Sequence, residues 1–166
     1  MYMNINELTE KENELYLKLC SLNGTIEEKL NQISKLGISN EYLIIHKKYA
    51  ELSAENIEAL KRGLFISWFA LSEPTFLTGI DNLEENAQEK IVKEINERMK
   101  KQTIDFELNW MLSYYKTWDY AFKKFEKYEH FYAKIKSNEE IEMPKIDKQK
   151  MENRGQMGIY WNSLNQ

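Results

Sequence analysis

The chain has one cysteine, two prolines and six glycines in 166 residues, and each scarcity removes a class of protein. With Cys20 alone, no intramolecular disulfide forms and no cysteine-based metal site can be assembled, which suits a reducing compartment. So little proline and glycine marks a helical protein, since helix interiors tolerate neither residue, and it denies a sheet protein the turns it needs. Histidine is nearly as rare. His46 and His130 are the two present, and neither follows a glutamate by three residues, so the Glu-x-x-His pairs of two-metal carboxylate bundles are missing. A zinc site wants more cysteine or histidine than this. No glycine-rich phosphate loop, Gly-x-Ser-x-Gly elbow or His-Glu-x-x-His run occurs either.

Charge of one sign is also lacking. The 23 basic and 27 acidic residues are mixed along the chain and leave a net charge of −4, so nothing advertises a polyanion partner. Lysines outnumber arginines 20 to 3, whereas phosphate and base recognition favour arginine. The start, MYMNINELTEKENE, lacks the basic and apolar regions of a signal peptide, and the expected location is the cytoplasm.

Only one long apolar run exists: GLFISWFALSEPTFLTGI, residues 63 to 80, holds a single ionisable side chain, Glu73. A spanning helix needs about twenty apolar residues. This run is opened by Arg62, interrupted by Ser67 and Ser72 and stopped at Glu73-Pro74, because the residue before proline is disfavoured in a helix. It reads as a core helix, and no membrane is expected.

What is present is helical periodicity. Leu8, Leu15, Leu19 and Cys20 recur at helical spacing and predict a helix over about 5–22. Thr25 with Glu28 is a capping box, and Gly37 suits a left-handed end, which predicts a helix over about 25–36. Ser39 or Asn40 can cap a third helix with Tyr42, Ile45, His46, Tyr49 and Leu52 on one face. A fourth, about 54–72, lines up Ile57, Leu60, Leu64, Trp68 and Leu71, with Glu58 and Arg62 as an i,i+4 pair. Asp81 with Glu84 is a second capping box, ahead of a fifth helix striped by Leu83, Ala87, Ile91, Ile95 and Met99. Between Thr103 and Ser137 there is no glycine or proline, which predicts one long helix of roughly 50 Å. Residues 138–166 have weak periodicity and read as an extended strap anchored by Ile159, Tyr160 and Trp161. The expectation is an all-α, single-domain bundle of about five to six helices over 1–137, with a long aromatic-rich helix at about 103–137 and the strap 138–166 packed on the same domain.

The long helix is the most unusual segment. From Trp110 to Tyr132 it carries ten aromatics in 23 residues. Leu108, Met111, Leu112, Tyr115, Trp118, Phe122 and Phe125 share one face, and Trp110, Tyr114 and Tyr128 widen the apolar arc to roughly 200°. One neighbouring helix covers less than that. The outer edge, Trp110, Tyr114, Tyr128 and Phe131, is therefore the candidate partner-binding face, since binding hot spots favour Trp and Tyr. Two copies of the chain can share the same arc, so a homodimer lies within the expectation. Aromatics interleaved with lysines also suit single-stranded nucleic acid, but six lysines against three acids over 116–136 is too little positive charge, and nucleic acid is not expected.

The leading functional expectation is a non-enzymatic cytoplasmic protein-binding module, adaptor-like or immunity-protein-like, with no cofactor, metal or catalytic residue. The alternative is a small-molecule-binding protein or enzyme with a pocket between helices 54–72 and 103–137. That pocket would be walled by Trp68, Phe69, Trp110 and Tyr114, with Arg62, Glu73, Asp105 or Glu107 supplying the polar contacts. Glu73 opposes the macrodipole at the end of its helix and calls for a compensating partner. His46 reads as a core histidine, Cys20 as a small buried apolar residue, and Glu126, Glu129 and His130 as a solvated helix face.

Overall fold

Side-chain caps start the first helices. Asn4 opens α1 (Ile5–Cys20): its side-chain oxygen accepts from the N–H groups of Asn6 and Glu7, and the Glu7 carboxylate accepts from the Asn4 N–H in return. The expected box of Thr25 and Glu28 opens α2 (Ile26–Lys35). Gly37, at φ 66°, both ends α2 and precedes α3 (Ile38–Leu52). Ser39 does not cap that helix and instead donates to the carbonyl of Gly79. This computed structural model describes residues 3–164; positions 1, 2, 165 and 166 of the expected bundle and strap lie outside that range. Every regular element among the described residues is helical.

Asn56 caps α4 (Ile57–Ser72), in which an unbroken run from Ala59 to Trp68 is buried. This run is buried on all sides because α3, a helix over 85–100 and one over 155–163 pack on it. Gly63 permits this: a Cβ there would meet the side chains of Ile91 and Tyr49. Pro74 then turns the chain into the single turn α5 (Thr75–Thr78). Among the described residues no helix is long and apolar enough to cross a membrane. The box expected of Asp81 and Glu84 does not form. Asp81 accepts from Asn82 instead, Asn82 takes a left-handed φ of 48°, and α6 runs Glu85–Lys100.

The single helix expected over 103–137 is divided in three: α7 (Phe106–Tyr115), a 3-10 segment (Lys116–Phe125) and α8 (Glu129–Lys136). The first break is at Trp118, with φ −115° and ψ 52°, and the second at Tyr128, with φ −92° and ψ 84°. Packing explains both. Trp118 sets its ring edge-on against Trp68 at 5.2 Å, and beyond Tyr128 the chain folds back so that Phe131 meets Phe122 edge-to-face at 5.4 Å. Part of the wide aromatic arc is covered by the chain folding on itself, with α8 against both α6 and the 3-10 segment.

The strap is also more ordered than expected. It is extended only as far as Asp147, which caps α9 (Lys148–Met151); α10 (Gly155–Ser163) follows and packs on α1 and α4. Gly158 lets α10 pass close to the Met151 carbonyl, where a Cβ would collide. Trp161 is fully buried, as expected of an anchor, whereas Ile159 is 40 % exposed. Cys20 is exposed, contrary to expectation, because it lies off the stripe of Leu8, Leu15 and Leu19 that faces the core.

Candidate functional site

A polar network threads the base of this fold. Glu12 replaces an apolar residue in the buried stripe of α1 and is 1 % exposed. Its carboxylate accepts from the Tyr49 hydroxyl at 2.7 Å and from the Gln156 N–H at 2.9 Å. Arg62 donates to the Tyr49 hydroxyl at 3.1 Å, to Thr9 at 2.7 Å, to Glu58 at 2.9 Å and to the Asn153 carbonyl at 2.7 Å. Arg154 grips Glu58 and Glu107 with bidentate pairs at 2.5–3.0 Å. Lys61 completes the run by donating to Glu107 at 2.9 Å and Asp105 at 2.6 Å.

Alternating charge sets the ionisation along this run. Burial pushes the Glu12 carboxyl up, and the bonds from Tyr49 and Gln156 and the charge of Arg62 only partly oppose it. Burial also acts on Glu58 and Glu107, but there the guanidinium of Arg154, aided by Arg62 and Lys61, outweighs it and holds both carboxyls below the usual range. A groove of about 510 Å³ runs beside the network, lined by Asn6, Thr9, Asn13, Glu58, Arg62 and Arg154. Every nitrogen of Arg154 already has a partner, so a ligand entering here would have to break buried ion pairs. The arrangement fastens the C-terminal segment to α1, α4 and α7.

His46 and Ser67 form a second buried pair. The Ser67 hydroxyl donates to the Gly63 carbonyl at 2.9 Å, so His46 Nε2, 2.8 Å away, must be the donor to Ser67. Burial lowers the imidazole pKa to about 4. The serine proton points at backbone, and the two side chains are 0 % and 5 % exposed, so this is no nucleophile and base.

Of the residues expected to wall a ligand pocket, Trp68 is in ring contact with Phe69 and Tyr114, and rings of the C-terminal helix pack against all four. Tyr160 packs on Trp68 at 5.3 Å and Phe69 at 5.5 Å, while Trp161 packs on Trp110 at 4.8 Å and Tyr114 at 5.0 Å. Their polar companions part ways. Arg62, Asp105 and Glu107 join the network, and Glu73 lies at the opposite end of α4, where its charge adds to burial and the Tyr114 bond in raising the Tyr160 pKa.

The expected partner face is corrected as well. Trp110 is 3 % exposed and Phe131 fully buried, so neither can meet a partner. Tyr128 is half-buried, its hydroxyl donating to Glu89 at 2.8 Å. Tyr114 is half-buried, its hydroxyl sharing a 2.6 Å hydrogen bond with that of Tyr160. Sequence reasoning did not single out Glu12, Tyr49, Lys61, Arg154 or Gln156 for the network. A charged Glu12 between Leu8 and Leu15 on the apolar stripe was the available signal.

An aromatic surface does exist at the far end of α4. Phe69, Tyr114, Trp118 and Tyr160 are each half-buried there, in ring contact with one another and with Trp68. Beside them a groove of about 550 Å³ separates the last turn of α4 from the 3-10 segment, lined by Leu71, Tyr120, Ala121, Lys123, Lys124 and Glu126. Leu71 is 48 % exposed and Tyr120 58 %, and the Tyr120 hydroxyl ties the walls by donating to the Leu71 carbonyl at 3.2 Å. Comparison of the chain with protein-family models, curated proteins and solved structures gives no match.

Proposed function

We propose that this chain is a non-enzymatic cytoplasmic protein-binding module, adaptor-like or immunity-protein-like, whose contact face is the far end of α4 together with the 3-10 segment. The observation that carries this reading is the run of half-exposed rings, Phe69, Tyr114, Trp118 and Tyr160, continuing into the exposed Leu71 and Tyr120. Tyrosine and tryptophan supply large contact area at low entropic cost, and hot spots concentrate in them. These rings are also preorganised. The bond between Tyr114 and Tyr160 and the packing on Trp68 fix them before any partner arrives, which removes part of the ordering cost of association.

The test is capture of a partner by the tagged chain from its native lysate, with the mass of the purified chain measured by light scattering. A stoichiometric protein lost on Leu71→Ala or Tyr120→Ala, but kept on Leu36→Ala at an exposed site elsewhere, is the expected result. A dimer of the chain that responds to the same substitutions would put a second copy in the partner's place. A folded monomer that captures nothing, or a partner indifferent to both substitutions, would sink the reading.

A further inference from the structure

The groove between Leu71 and Tyr120 carries a chemical signature that its aromatic neighbours do not. A 3-10 helix has about three residues per turn, so Tyr120, Lys123 and Glu126 stack in one row and Ala121 and Lys124 in the next. Both rows line the groove. Most other lysines of this region are neutralised: Lys127 pairs with Glu89, Lys134 with Glu139 and Lys136 with Asp119. The two groove lysines make no ion pair among the described residues: Lys123 lies near enough to Asp119 to help lower its pKa without pairing with it, and Lys124 bonds the neutral amide oxygen of Gln88 while its ammonium sits over the Phe125 ring. Against them the groove sets only Glu126, in a chain whose net charge is −4.

From this charge distribution we infer that the groove receives an acidic segment of the partner protein, with one large apolar side chain laid over the exposed faces of Leu71 and Tyr120 and carboxylates flanking it to meet Lys123 and Lys124. The inference rests on the protein-binding reading above. On a chain of net negative charge, an acidic segment meets two lysines against one glutamate here, which orients the encounter and sets its register. The apolar anchor supplies affinity, because Leu71 and Tyr120 lose exposed surface only when something covers them.

The test is a selection of random displayed peptides on the folded full chain, repeated on the Lys123→Glu, Lys124→Glu double variant and on Leu71→Ala. The expected consensus is an apolar residue flanked by Asp or Glu, binding roughly tenfold more weakly to the charge-reversed chain and weakening as salt rises. Enriched peptides that lack carboxylates but still require Leu71 would overturn the acidic partner and leave the protein-binding face standing. Peptides that ignore both sites would overturn the groove. No enrichment at all on a chain of native circular dichroism would remove the groove and the binding reading together.

Discussion

The backbone of Gly155 lies directly against the Glu12 carboxylate, so close that a Cβ at 155 would overlap both carboxylate oxygens. Gly155 also adopts φ 59°, in the left-handed region that L side chains avoid. Two constraints of different origin thus converge on one residue, and both serve the bond from the Gln156 N–H to Glu12.

Gly155→Ala is therefore expected to destabilise the chain by about 2–4 kcal/mol, through backbone strain and a displaced buried carboxylate. Urea denaturation followed by circular dichroism reads this directly. A midpoint equal to wild type would mean that Glu12 moves aside without cost.

Stability should depend on pH from both sides. The folded-state pKa of His46 is depressed from 6.5 to about 4, so its contribution is complete above 6.5 and is lost as pH falls through the folded value. The difference corresponds to roughly 3 kcal/mol. Glu58 and Glu107, also held low, act in the same direction below their ordinary 4.5. Glu12 is the opposite case. Its pKa is raised above 4.5, so its contribution is complete below that value and declines as pH rises through the folded pKa. Glu12→Gln keeps an acceptor for Gln156 and should stabilise the chain at neutral pH but not at acid pH. Denaturation midpoints collected across the pH range would show it, and an equal shift at every pH would assign the gain to something other than ionisation.

Arg154→Met should cost about 2–3 kcal/mol, below the usual toll of breaking a buried pair because Glu58 and Glu107 are about a quarter exposed. Arg154→Lys should recover little of the loss, since an ammonium cannot make two bidentate pairs. Full recovery by lysine would show that charge alone, without fork geometry, holds Glu58 to Glu107.

The first five predicted helices could be read from local signals. Periodic stripes and the box of Thr25 and Glu28 are decided within a few residues, and α1, α2 and α4 begin or end near where those signals stand. The long helix was misread for a reason that is also local in part. Thr117, Trp118, Asp119 and Tyr120 are all weak helix formers, and without a proline their combined effect is easy to overlook. The decisive force, however, was the fit of Trp118 against Trp68, a contact across fifty residues of sequence that no window contains. Gly155 and Gly158 misled in a different way. They look like breakers in the strap, whereas they are the positions at which α10 comes nearest to Glu12 and to Met151. Of the candidate site, Phe69 was legible as an aromatic near a helix end and Tyr114 as the outer edge of the expected long helix. Leu71, Tyr120, Lys123 and Lys124 became a groove only because the helix broke.

The bond from Gln156 to Glu12 spans 144 residues of sequence, and that separation bears on kinetics. Helical proteins fold fast when their contacts are local, and closing a long loop adds an entropic cost that is met only after the intervening chain is ordered. The helices from α1 to α6 can assemble through near neighbours, whereas the fastening of α10 has to wait for them. Gly155→Ala and Arg154→Met should then accelerate unfolding while leaving the refolding rate nearly unchanged, the pattern of contacts absent from the transition state.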